Sequence, residues 1–170
     1  MDIRLINVKV SDTNKVLSLF KKAAEVIAKK NINHWQYWKY PPLEKIKWVE
    51  EGISKDQFFF IKCPQNNIIG MVRVSDEDLL YWGRKTDKSK YIHSLVVIEE
   101  YQGKELGRVV LQKIEKEAKI NSYQFLRLDS DSKNPKLCSY YEKQGFIKIG
   151  SKALPLSTYN LYQKEISQIQ

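Results

Sequence analysis

Gln102-Gly103-Lys104-Glu105-Leu106-Gly107-Arg108 sets glycines and cations into one short turn, between an apolar strand and an amphipathic helix. Such a turn can aim backbone N–H groups and the positive end of a helix at a pyrophosphate, with Lys104 and Arg108 adding charge. It also reads as a plain strand-to-helix turn, and a glycine pattern alone does not separate the two. His93, on the preceding strand, titrates where a side chain can take a proton near neutral pH, although a lone histidine in a strand also serves structure. Glu99 and Glu100 are the other candidates for that task, against a solvated role for both. Asp76-Glu77-Asp78 reads either as an attractor for a cationic amine or as a solvated hairpin tip. Cys63 and Cys138 lack CxxC spacing, and His34 and His93 are the only histidines, so neither a metal site nor a disulfide is expected. Cys138 falls on a helix with no histidine near it in sequence, and reads as core rather than as a nucleophile.

The elements that must position these residues follow from periodicity. Residues 3 to 10 read as a strand. Beyond Asp12 as N-cap, Val16, Leu19, Phe20, Ala23, Ala24 and Ile27 recur at helical spacing to about Lys30. Pro41-Pro42 breaks the chain before a helix from Leu43 to about Ser54. Phe58 to Ile61 and Ile68 to Val74 flank the polar turn Pro64-Gln65-Asn66-Asn67 and predict an antiparallel hairpin. Tyr91 to Ile98 reads as a central strand, because Leu95-Val96-Val97-Ile98 is apolar on both faces. A helix from about Glu105 to Lys119, a strand from Gln124 to Asp129, and a helix opened by Asn134-Pro135 and stopped at Gly145 come next. Residues 146 to 151 and 158 to 166 complete the series as strands. The order βααβββαβαββ implies a mixed sheet with helices packed on it.

From "YIHSLVV" through "YQGKELG" and "LRLD" to "NPKLCSYYEKQGF", over roughly residues 91 to 147, the chain closely resembles the GNAT superfamily of acetyl-CoA-dependent N-acetyltransferases. The resemblance implies one domain over 1–170 of α/β (α+β) class, with a mixed, mostly antiparallel central sheet and helices on both faces. It also implies acetyl-CoA as cosubstrate. The pyrophosphate would lie on Gln102, Gly103, Lys104, Glu105, Leu106, Gly107 and Arg108, and the pantetheine arm along the backbone of Leu95, Val96 and Val97. Asn134 matches the family's asparagine near the cofactor, and Tyr141 the tyrosine beside the thioester sulfur. Glu105 departs from the pattern, since glycine usually lets backbone approach phosphate there; glutamate is tolerable if the local dihedrals are ordinary and the side chain turns to solvent. The implied chemistry is attack by a neutral primary amine in a ternary complex, with Tyr141 protonating the leaving sulfur and His93 as the first-ranked base. Trp35, Tyr37 and Trp38, in an aromatic loop ahead of Pro41, either line the acceptor pocket or staple the loop to the core.

Composition bounds the alternatives. With 170 residues, 42% of them hydrophobic, the chain can close one substantial core. No apolar run reaches membrane-spanning length and the start of the chain lacks a secretion-signal layout, so a cytoplasmic protein with no membrane partner is expected. The net charge of +9 is spread from Lys9 to Lys164 among acids rather than gathered in one arm, so nucleic acid is not an expected partner. A small-molecule or peptide amine is the expected acceptor, and homodimerisation is left open. The competing class is a non-catalytic coenzyme A sensor with a degenerate loop, motivated by Glu105.

Overall fold

A computed structural model of the chain describes residues 1–167. Its elements are β1 (Arg4–Asn7), α1 (Thr13–Lys29), α2 (Leu43–Ser54), β2 (Phe58–Lys62), β3 (Ile68–Ser75), β4 (Ser89–Val97), α3 (Leu106–Ile120), β5 (Phe125–Asp131), α4 (Pro135–Lys143), β6 (Ile147–Ala153) and β7 (Thr158–Glu165). Short 3-10 turns occupy Val10–Asp12, Gln36–Lys39 and Glu99–Tyr101. The order of strands and helices is the one the periodicity predicts. The strands form a mixed sheet in the order β1-β2-β3-β4-β5-β7-β6, parallel at β4–β5 and antiparallel at β1–β2, β2–β3, β5–β7 and β6–β7.

Contacts along the chain divide it into two compact units, Met1–Arg73 with Ser94–Val110, and Val74–His93 with Leu111–Gln170. The first is built around Phe20 on α1. Its ring stacks on Trp38 at 3.8 Å and meets Trp35 and Phe58 edge-on. Val16, Ala24, Val49, Ile53, Met71 and Val96 complete this core. Each fully buried side chain of this size contributes about 1.5–3 kcal/mol, so the aromatic loop is a main anchor of the unit. Gly70 on β3 is required by close approach: a Cβ there would lie 2.2 Å from the Val96 carbonyl oxygen.

Two local expectations change. β1 spans only Arg4–Asn7, because the 3-10 turn at Val10–Asp12 intervenes. Asp12 holds the N-cap position of α1, but its φ/ψ of −100°/8° is not extended, and its carboxylate binds Lys15 at 2.7 Å instead of capping.

The second unit is organised by β5. Leu126 and Leu128 are fully buried, and between them Arg127 is buried with its guanidinium donating to both carboxylate oxygens of Asp87, to Gln163 and to the Tyr91 hydroxyl. The same guanidinium lies over the Trp82 and Phe125 rings. This satisfies a buried charge that would otherwise be costly. Asn134 caps α4 as expected, its Oδ1 accepting from the Leu137 N–H at 3.1 Å, and Gly145 (φ +89°) stops the helix.

Candidate active site

In the first unit, the segment from Leu95 to Arg108 contains ten of the residues singled out for cofactor binding. Val96 is buried, whereas Leu95, Val97 and Ile98 are half-buried, which corrects the expectation of a strand covered on both faces. The parallel register with β5 runs from Ser89↔Phe125 to Tyr91↔Arg127, upstream of this segment. At the end of β4, the Gln102 amide donates to the Val97 carbonyl at 3.0 Å and its Oε1 accepts from Lys30. Gln102 thus pins the loop to the strand through its side chain.

Gly103 has φ +74° and Glu105 φ +56°, so the loop turns twice through left-handed backbone before α3 begins. The dihedral condition for Glu105 therefore fails. It adopts a conformation that costs an L-residue about 1–2 kcal/mol and glycine almost nothing. The other condition holds: the side chain is exposed and its Oε2 lies 3.3 Å from Arg108 Nη2. The Glu105 carbonyl accepts the Val109 N–H at 3.2 Å, which sets the start of α3. The first N–H groups of that helix have no intrahelical acceptor and add to its positive end. Lys104 lies over the Tyr101 ring at 5.0 Å.

In the second unit, His93 is flanked by two carboxylates. Its Nε2 lies 3.6 Å from Asp78 Oδ2 and its Nδ1 3.8 Å from Asp129 Oδ1, with all three side chains largely buried. Strand register explains half of this. His93 on β4 and Asp129 on β5 each lie two residues beyond the last register pair, Tyr91↔Arg127, and so on the face which that pair presents. Asp78 arrives from the turn after β3, where its Oδ1 accepts the Tyr81 N–H at 3.0 Å. The acidic turn is thus not a solvated tip throughout: Asp76 and Glu77 are exposed, while Asp78 is buried and faces the imidazole. Burial, followed by the charge of Asp78, pushes the Asp129 carboxyl up to about 8, so it retains a proton at neutral pH. The three groups offer one ligand atom each within 4.8 Å of one another, a spacing that could take a cation. Each ring nitrogen also faces its own carboxylate, an arrangement in which the three groups can share a proton.

Tyr141 on α4 packs against Phe146 and Tyr162, and burial, then the Asp129 charge, raises its hydroxyl well above the ordinary tyrosine value. Tyr140 meets it edge-on. Cys138 is buried against Ser130 and the Asp131 carbonyl, as expected of a core thiol. Glu99 and Glu100 are exposed, and Glu99 lies 3.9 Å from Lys29.

Among the aromatic-loop residues, Trp38 is 3% exposed inside the Phe20 cluster, which corrects its place as an acceptor-lining residue. Trp35 and Tyr37 are half-buried, the first edge-on to Phe20 and the second under Lys45. Sequence reading passed over Asp129 and Asp78 as partners of His93. The period-2 spacing of Arg127 and Asp129 put them on one face, but the register that aligns His93 with Asp129 is a tertiary fact.

Comparison with known proteins is decisive on ancestry. The model of the GNAT acetyltransferase family matches residues 27–146. The chain belongs to that family. It is 27% identical over 160 residues to the uncharacterized N-acetyltransferase YesJ of Bacillus subtilis, covering 92% of this chain and 86% of the relative. The fold also matches a GNAT acetyltransferase from Listeria monocytogenes (TM-score 0.78, 23% identity, 96% and 94% of the two chains). A spermidine N-acetyltransferase from Vibrio cholerae, solved with CoA and spermine, matches with TM-score 0.68 and 18% identity over 98% and 96%. The GNAT family uses acetyl-CoA, and the chain is an acyl-CoA-dependent N-acetyltransferase.

Proposed function

We propose that this GNAT protein transfers the acetyl group of acetyl-CoA to a primary amine of a small-molecule acceptor, by direct attack in a ternary complex. The observation that carries the reading is the segment from Leu95 to Arg108: a strand end tied to its loop by Gln102, two left-handed residues, and the start of α3, where the first N–H groups lack intrahelical acceptors. These main-chain donors suit a pyrophosphate. The Arg108 contact draws the Glu105 carboxylate toward a cation of its own helix. The backbone of Leu95, Val96 and Val97 is assigned to the pantetheine amides. Asn134, whose side chain also caps α4, remains a cofactor contact in this proposal.

In this reading His93 removes a proton from the acceptor's ammonium group, and the freed amine nitrogen attacks the thioester carbonyl carbon. The C–N bond forms, the C–S bond breaks, and the thiolate takes the Tyr141 proton. Tyr141 recovers a proton from the nitrogen, which sheds its second one as the amide forms. One proton per turnover leaves to solvent. The spermine bound to the Vibrio cholerae relative supports a cationic aliphatic amine as acceptor class, with Trp35 and Tyr37 as candidate contacts.

A panel of primary amines supplied with acetyl-CoA, read by free-thiol release, tests the reading. Amine-dependent thiol release is expected. Tight acetyl-CoA binding without turnover on any amine of a broad panel would instead favour a coenzyme A sensor.

A further inference from the structure

His93 lies between carboxylates on both ring nitrogens, at 3.6 Å and 3.8 Å, within one compact unit. A neutral imidazole donates from one nitrogen and presents a lone pair at the other, and a carboxylate facing that lone pair is repelled. Two arrangements remove the repulsion. Either both nitrogens carry protons, or one carboxyl does. The two hold the same number of protons and differ only in where one of them sits, so the groups titrate together rather than singly.

The surroundings bear on the same balance. Asp78 faces the ring from the turn after β3 and Asp129 from β5, while Tyr141 on α4 and Tyr159 on β7 both feel the Asp129 charge. Asp131 adds to the field at Tyr159. Both carboxylates are held in place: the Tyr81 N–H fixes Asp78, and the antiparallel register with β7, Asp129↔Leu161, fixes Asp129.

We propose that Asp78 and Asp129 are positioning residues that grip the His93 imidazole from both sides and make the three side chains one proton-holding unit. That unit is the immediate acceptor of the proton shed by the amine substrate. This rests on the reading of His93 as base and adds to it two residues that act through the ring. The proton passes from the ammonium nitrogen to the unit and then to water, and no bond other than N–H and its replacement changes in this step.

The test is a proton NMR titration of the histidine ring signals, with His34 identified by His34→Gln, alongside the pH profile of kcat/KM. Asp78→Asn is expected to move the His93 midpoint down by about one pH unit or more, because it removes a negative charge within about 4 Å, whereas Asp129→Asn removes the carboxyl that can hold the shared proton and is expected to change both the shape and the midpoint of the His93 curve. The acidic limb of kcat/KM should move down with it, and the His34 midpoint should stay. Asparagine keeps the shape of aspartate, and its Oδ1 can still accept the Tyr81 N–H. Should a variant fail to fold, the wild-type curve decides: a single-step His93 titration at the free-imidazole midpoint overturns the unit. His93 midpoints unmoved in both variants, in an enzyme that works, refute the unit and leave the transferase reading intact. Midpoints that move while the limb does not refute the proton-accepting role. A protein that acetylates no amine, with midpoints that still move, refutes the transferase reading and supports the coupling.

Discussion

Tyr141 keeps its proton because burial, then the Asp129 charge, disfavours the phenolate. It can therefore serve as a donor toward charge developing on sulfur, and it takes a proton back only after giving its own away. Tyr141→Phe retains the ring that packs on Phe146 and removes only the hydroxyl. Turnover should fall about 100-fold while acetyl-CoA affinity stays, as measured by thiol release and by calorimetry. An unchanged rate contradicts the role. Asp129 makes a second prediction, on stability. Its folded value of about 8 lies above the ordinary 3.8, so between these pH values the folded chain holds a proton that the unfolded chain has lost. Its stabilising contribution is complete below the lower value and is lost as pH rises through the upper one. Asparagine does not titrate, so the melting temperature of Asp129→Asn relative to wild type should be more favourable at about pH 9 than at about pH 5. A pH-independent difference would show that Asp129 titrates normally.

At the scale of elements, sequence and conformation disagree in the loop between β4 and α3. Glu105 sits at φ +56° with its side chain in solvent, which is a glycine's place taken by a charged residue. Glu105→Gly should stabilise the fold by about 0.5–1 kcal/mol or leave it unchanged, and acetyl-CoA should bind equally or more tightly in calorimetry. A large loss of affinity would make the carboxylate part of the site. The aromatic loop carries the opposite kind of constraint. Trp38→Ala removes the ring stacked on Phe20 and should cost about 3–5 kcal/mol in chemical denaturation. A loss under about 1 kcal/mol would mean the loop is not a staple. The helices and the β2–β3 hairpin were legible because apolar spacing and breakers such as Pro41-Pro42 act locally. Ser94, at φ 52° inside β4, was not, since serine carries no signal for left-handed backbone.

For the molecule as a whole, 29 lysines and arginines against 20 acids leave a net charge of +9 that the structure spends in scattered contacts. Arg127 is buried against Asp87, Arg73 is bound to Gln57 over the Trp48 ring, and Lys90 pairs with Asp76. With the charge dispersed, RNA and DNA probes should show no tight, steeply salt-dependent binding at about 0.1 M salt. Tight binding whose affinity drops sharply with added salt would overturn this. No helix among the described residues is long and apolar enough to cross a membrane. Family membership, the order of elements and the mixed sheet agree with one another.

Read alone, the sequence determined the succession of strands and helices, the cap at Asn134, the stop at Gly145 and the family, because each depends on residues close together along the chain. Tertiary structure decided that Trp38 belongs to the core, that Glu105 is left-handed and that Asp78 and Asp129 meet His93. Asp78 and Asp129 are brought to one ring by a turn and a strand register that span dozens of residues. Registers of that kind are set by the packing of the whole sheet, and no local pattern encodes them.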